Sequence, residues 1–517
     1  MFYSIIIIYY KEYRKENIMN RASGILLHIS SLPNKYGIGS FGEEVIKFCD
    51  FLKDMGIKYW QTLPFGTIDN FGSPYKSFSA FAGNPLFINL PKLYEKGLIT
   101  KEELKENEYN DPYIVNFKWL NEKRMEILKK AYLRIDNEYK KEILKFSKLH
   151  KNWLYDFSLY MTIREKNNNK DWYQWEDEKL KFHDKDAIKK FREENLSEVL
   201  FYEFLQYEFY TQWEEIKKQI NEKGIKIIGD VPIYVSYESS DVWGNPHIFD
   251  LTEDGSPRFI SGVPPDYFSE DGQKWGNPLY NWKSIKKGRY SWWIKRLEHS
   301  LSIFDIIRID HFRGFSAYWA IPAESETAKD GNWVDGPGLD FFNAILKKID
   351  KNCIIAEDLG DIDEKTRTLL EETGFPGMRV IQFGFSGDNS IHLPHNYDKN
   401  VIAYSGTHDN NTILGWLWEA TPEERNFALD YCDFKSGENW KFGGFYSESC
   451  RAIIKTLWKS SANIVILPIQ DLCGFGADTR MNKPGRAQGN WFYRITEEQL
   501  NNIDKEFIKN LNKLFYR

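Results

Sequence analysis

Several common functions are excluded by what this 517-residue sequence lacks. Its five cysteines, Cys49, Cys353, Cys432, Cys450 and Cys473, are odd in number, scattered and without a CxxC pair. That spacing builds neither a metal cluster nor a disulfide framework, and it fits thiols kept reduced in a cytoplasm. Charge of one sign is not in excess. The 69 basic and 75 acidic side chains leave a net charge of −6, small and interspersed, which argues against a nucleic-acid or polyanion partner. The apolar run at residues 2–10 is too short to span a bilayer. It is also a poor signal peptide, because its charges follow the apolar stretch and no small-residue cleavage site appears. Residues 1–18 therefore read as a disordered or upstream-start extension, with Met19 as the start of the folding chain. No histidine cluster, P-loop or Rossmann glycine pattern is present.

Aromatic residues, by contrast, are abundant. Hydrophobic content is an ordinary 42%, but aromatic content is 16%, with 18 Trp and 30 Tyr, more than a core of this size needs. Such flat, amphipathic side chains suit stacking against sugar rings. Eight short apolar segments read as strands: residues 24–29, 58–63, 226–235, 306–315, 353–360, 378–383, 401–412 and 462–472. Helical patterns lie between most of them. That alternation predicts an α/β fold, a (β/α)8 TIM barrel of parallel strands with inserted subdomains.

Residues 19–90 would open the barrel and residues 223–517 complete it, separated by a mainly helical insertion over residues 91–222. The stripe Phe204, Tyr207, Phe209, Tyr210 and Trp213 in that insertion reads as core. The DWYQW at 171–175 suits either a cap on the insertion or a substrate contact. Two long segments rich in Gly, Pro and aromatics, residues 72–87 and about 236–284, read as loops that bear binding groups, the second as a structureless lid.

Three strand candidates end on a carboxylate. In IIRIDHFRGF, Arg308 and Asp310 are two apart on a strand and emerge on the same side. A guanidinium beside Asp310 would hold it ionised. Asp230, inside KIIGDVPIYV, needs a partner, and Arg308 is the natural one. In CIIAEDLG, Glu357 and Asp358 face opposite ways. In VIAYSGTHDNNT, Asp409 follows His408. A parallel barrel gathers strand C-termini on one rim, so Asp310, Glu357 and Asp409 should converge there. An ionised Asp310 can attack an anomeric carbon. Glu357, desolvated at the end of an apolar strand, can stay protonated and serve as general acid and then base. Asp409 is left to bind hydroxyls and stabilise the transition state. Such a trio could alternatively hold Mg²⁺, but the aromatic surplus and the lack of a phosphate-binding motif favour sugar.

The segments RIDHFRG, AEDLG and GTHDNNT resemble the catalytic-strand signatures of the 4-α-glucanotransferases (amylomaltases, or disproportionating enzymes) of the α-amylase-like clan. SPYKSFSAFAGNP, DVPIYV, GVPPDYFSEDGQKWGNPLYNW and RMNKPGRAQGNW are similar to the same family, from about Ser23 to Trp491. The resemblance implies Asp310 as nucleophile, Glu357 as acid/base and Asp409 as transition-state stabiliser. It further implies substrate contacts from Tyr75, Asp230, Arg308 and His408, and a loop around residues 262–277, with Trp275, covering the groove. It implies a retaining transfer of 1,4-α-glucan segments to the 4-OH of glucose or another glucan, with maltooligosaccharides and α-1,4-glucans as partners. No metal or organic cofactor is expected, and a monomer or weak dimer in the cytoplasm is the default. An α-amylase-type hydrolase could own similar loops and is the alternative. A non-catalytic glucan-binding protein would be expected to have lost one of the three carboxylates.

Overall fold

The computed structural model describes residues 20–69, 71–265, 270–387, 389–486 and 488–517. The expectation for residues 1–18 lies outside them. Twelve strands occur among the described residues: β1 (Ala22–Leu26), β2 (Tyr59–Gln61), β3 (Lys226–Val231), β4 (Phe259–Val263), β5 (Gln273–Pro278), β6 (Ile306–Ile309), β7 (Ala317–Pro322), β8 (Asn332–Asp335), β9 (Ile354–Ala356), β10 (Gly377–Val380), β11 (Val401–Tyr404) and β12 (Ile464–Pro468). Eight of them form one sheet in the order β10-β11-β12-β1-β2-β3-β6-β9, and every pairing in it is parallel. These are the eight segments expected from the sequence, in chain order around a nearly closed (β/α)8 barrel.

The sequences explain the arrangement. β6 (IIRI), β9 (IIA) and β12 (IVILP) are buried along their whole length, as strands covered on both faces must be. Between strands, helices lay an apolar stripe on the barrel. Glu43–Asp54 buries Val45, Phe48, Cys49, Phe51 and Leu52, with Glu43 and Glu44 in its first turn and Lys53 in its last, matching its dipole. The seam between β9 and β10 has no ladder. It is bridged by the Ala356 amide on the Pro376 carbonyl at 3.0 Å. There too the Asp358 carboxylate accepts the Met378 amide at 2.5 Å and faces Arg379 Nη1 at 2.9 Å.

The strands stop earlier than their apolar runs. β3 ends at Val231 because Pro232 cannot donate to a ladder. The 306–315 run is strand only to Ile309. His311 then takes a left-handed turn (φ 52°), and Arg313–Ser316 is a short helix. Segment 236–284 is not structureless. It holds the helix Ser240–Gly244 and strands β4 and β5, which join β7 and β8 in a four-stranded antiparallel sheet of order β5-β4-β7-β8. Those strands carry Gly, Pro, Asn and Lys without a clean alternation, so no period-2 signal announced them.

From Leu90 to Glu222 the described elements are helices, ending in the 27-residue Leu196–Glu222. Phe204, Phe209 and Trp213 on that helix are core residues, while Tyr207 and Tyr210 are half-buried against it. The DWYQW segment is structural: Trp172 and Trp175 are buried and donate their indole N–H groups to the Tyr237 and Lys170 carbonyls. All five cysteines are unpaired, and all but Cys353 are buried. Among the described residues no helix is long and apolar enough to cross a membrane.

Candidate active site

The barrel delivers its polar side chains at the C-terminal ends of the parallel strands. Asp230 lies in β3 and its register partner in β6 is Arg308. The guanidinium grips Asp230 with Nε to Oδ1 at 3.0 Å and Nη2 to Oδ2 at 2.5 Å. The same Nη2 reaches Asp310 Oδ1 at 2.8 Å, so Arg308 in β6 meets the residue just past the strand's end, two positions on and on the same side. Arg308 and Asp230 are almost fully buried, with side chains 4% and 1% exposed, whereas Asp310 keeps 30% of its side chain open.

Tyr75, from the loop after β2, donates its hydroxyl to Asp230 Oδ2 at 2.6 Å and lies 2.8 Å from His408 Nε2, its ring stacked on the imidazole. His408 Nε2 in turn faces Asp409 Oδ2 at 3.4 Å. Asp310, Arg308, Asp230, Tyr75, His408 and Asp409 thus form one continuous chain of contacts across the rim.

Glu357 joins it through the backbone. The residue follows β9, its amide pairs with the Ile309 carbonyl, and its Oε2 accepts the amide of His311, next to Asp310, at 2.7 Å. Its Oε1 accepts the Leu359 amide at 2.9 Å. His311 stands in a left-handed turn, and Trp275 of β5 meets its imidazole edge to face at 4.9 Å between ring centres. Trp275 is 38% exposed at the mouth of the site. All eight residues singled out in the sequence are therefore linked in one cluster.

The electrostatics differ in one respect from the expectation for the Arg308–Asp310 pair in isolation. Burial, followed by the opposing pull of Arg308 and the push of Asp230, Glu357 and Asp409, leaves Asp310 well above the usual carboxylate range. One guanidinium is shared between two carboxylates and cannot neutralise the crowd. Glu357 is raised to about 7, mainly by burial, against which Arg308 and the two backbone amides pull down. Protons in such a set are held jointly. Of these two raised carboxyl groups only Asp310 touches the guanidinium directly, whereas Glu357 is bonded by backbone amides. Burial lowers His408, and burial next to Asp230 holds the Tyr75 hydroxyl well up.

Three further residues complete the cluster. Asn482 donates to Asp409 Oδ1 at 2.5 Å, Arg480 bonds the Asp409 carbonyl, and Trp491 (φ 71°) sets its ring beside Tyr75 and His408. All three stand in the RMNKPGRAQGNW segment, which entered the family resemblance as a whole without any residue singled out. Among the described residues no group of three or more His, Cys, Asp or Glu is placed to hold a metal ion.

The 4-alpha-glucanotransferase family model matches residues 27–500. A 4-alpha-glucanotransferase of Clostridium butyricum is 44% identical over 496 residues, 95% of this chain and 100% of that protein. One of Aquifex aeolicus is 42% identical over 500 residues, 96% of this chain and 99% of that protein. Among solved structures, the amylomaltase from Streptococcus agalactiae in complex with acarbose is similar at a TM-score of 0.91 and 41% identity, covering 96% of this chain and 99% of that one.

Proposed function

This chain belongs to the 4-alpha-glucanotransferase family, and from that premise we propose that Asp310 is the nucleophile, Glu357 the general acid/base and Asp409 the transition-state stabiliser of a retaining glucan transfer. The activity is that of the family: a segment of 1,4-α-glucan passes to the 4-OH of glucose or another glucan.

In the first half-reaction an Asp310 oxygen bonds to the anomeric carbon while the C1–O4 bond breaks. Glu357 gives its proton to the departing O4, which leaves as a sugar hydroxyl. In the second, Glu357 takes the proton from the acceptor 4-OH, whose oxygen displaces Asp310 from C1. Atoms and charge balance without a cofactor. Asp409, open to the groove, meets the hydroxyls of the reacting ring as positive charge develops on it. Tyr75, Asp230, Arg308 and His408 form the binding floor, with Asp230 acting by holding Arg308 and Tyr75 in place. Trp275 covers the intermediate and keeps water from it. Maltooligosaccharides and α-1,4-glucans are the partners, and the unpaired cysteines support a cytoplasmic setting.

The observation that carries this reading is the unequal setting of two carboxyl groups: Asp310 on a guanidinium, Glu357 on backbone amides alone with its proton retained to about 7. Replacing Asp310 with Asn tests it. Turnover should fall at least ~1,000-fold with glucan binding largely kept; unchanged turnover would refute the nucleophile assignment. In Glu357→Gln, an α-maltosyl fluoride, whose leaving group needs no proton, should still load Asp310 and give a glycosyl-enzyme visible by mass.

A further inference from the structure

The stretch that carries His408 and Asp409 leaves the barrel after β11 and re-enters regular structure at the helix Ile413–Glu419. Both of its ends are held by one side chain from elsewhere in the fold. Asp471 sits in the short helix Ile469–Cys473 that directly follows β12. Its Oδ2 accepts the Ser405 hydroxyl at 2.5 Å, and its Oδ1 accepts the Ile413 amide at 2.6 Å. Ser405 is the first residue after β11. Ile413 is the first residue of its helix, where a backbone N–H has no intrahelical partner.

Asp471 is 1% exposed, and the groups that favour its ionised form are one hydroxyl and one amide, with no cation among them. Burial accordingly pushes it up to about 7. A carboxyl group so placed is costly in an apolar core. What it provides is an acceptor with two arms, and the arms reach the exit and the re-entry of the catalytic loop. Within the loop the Asn410 bonds are local, and the middle is also touched from outside, by Arg480 on the Asp409 carbonyl and the Asn482 amide on the His408 carbonyl. Asn410 Oδ1 accepts the Thr407 amide and hydroxyl, and Gln382 Nε2 donates to the Asn411 carbonyl. Asp409 itself is held at its far side by Asn482. None of these joins the loop's exit from β11 to its re-entry at Ile413. Asp471 does.

We propose that Asp471 is a positioning residue for glucan transfer, clamping Ser405 and Ile413 so that the loop presents Asp409 to the reacting sugar. The proposal rests on the reading of Asp409 given above. Displacing a reacting group by about 1 Å costs on the order of 100-fold in rate, so the clamp should register in kcat and leave KM nearly untouched.

A double-mutant cycle tests it. Asp471→Ala should lower kcat about 10- to 100-fold with KM within about threefold of the parent. Asp471→Asn should restore most of the rate, because its carbonyl can take the Ile413 amide while its NH2 donates to Ser405 Oγ. In an Asp409→Asn background, Asp471→Ala should cause no further fall in kcat. The same fall in both backgrounds would overturn the proposal, as would an unimpaired Asp471→Ala, or an Asp471→Asn as damaged as the alanine variant. Should Asp471→Ala fail to fold, Ser405→Ala opens one arm alone. It should lower kcat about threefold or more in the parent and not in Asp409→Asn, and an equal effect in both would again overturn the clamp. A fully active Asp409→Asn would instead refute the role given to Asp409, a result distinct from any of these.

Discussion

Asp230 and Arg308 are register partners on β3 and β6 and form a two-point ion pair, Nε to Oδ1 at 3.0 Å and Nη2 to Oδ2 at 2.5 Å. Two inward-facing positions on adjacent strands therefore fix a guanidinium under the rim, with Nη2 shared between Asp230 and Asp310. A lysine has no fork to hold both carboxylates. Arg308→Lys should lower kcat about 100-fold or more, the scale of losing one preorganised electrostatic contact at a reacting centre. Steady-state kinetics on maltotriose would measure it, and a loss below about threefold would contradict the shared-guanidinium account.

The pH profile follows from Glu357. Glycosylation needs Glu357 protonated and Asp310 ionised. With Glu357 raised to about 7, kcat/KM should fall above about pH 7 as its proton leaves. On the acid side the rate should fall as Asp310 takes up a proton. With an α-maltosyl fluoride donor the first step no longer needs the acid. In Glu357→Gln the basic limb for enzyme loading should then disappear while the acidic limb stays. A basic limb that persists in the variant would assign it to another group.

Trp275 stands at the mouth of the site with its ring against His311, one residue from the nucleophile. Water is present at roughly 55 M, so transfer depends on shielding the intermediate. Trp275→Ala should raise the share of hydrolysis several-fold, read as newly formed reducing ends per bond cleaved. An unchanged ratio would remove Trp275 from that role.

The β9–β10 seam predicts a stability effect away from the chemistry. Asp358, 5% exposed, stands in for missing ladder bonds and neutralises Arg379. Asp358→Ala leaves a half-buried cation and an amide unpaired and should cost about 3–5 kcal/mol. Chemical denaturation would detect it as a lower midpoint at an unchanged slope. A cost under about 1 kcal/mol would mean that the barrel closes without it.

The sequence made the barrel legible because its strands are short apolar runs, several with a carboxylate or a proline just past the end. Asp310, Glu357 and Asp409 announced themselves as charges following apolar stretches, and the Arg308–Asp310 contact followed from alternation alone. The antiparallel sheet was hidden, since FISGV and QKWGNP carry turn residues inside strands and show no period. The left-handed turn at His311 was hidden too, because a histidine there does not advertise a positive φ as glycine would. The net upward push on Asp310 needed the structure, since it depends on Asp230, Glu357 and Asp409 all crowding one guanidinium. Asp471 looked like one more residue of a terminal strand until its two partners, from opposite ends of the Asp409 loop, were in place.

Covalent glucan transfer on a rim shielded from water has a distinctive product pattern. The most direct measurement is incubation with maltotriose, resolving products by chain length while counting reducing ends. Transfer gives glucose together with a ladder of longer maltooligosaccharides and little gain in total reducing ends. Glucose and maltose alone, with reducing ends rising steadily, would contradict transfer and make the same carboxylates those of a hydrolase.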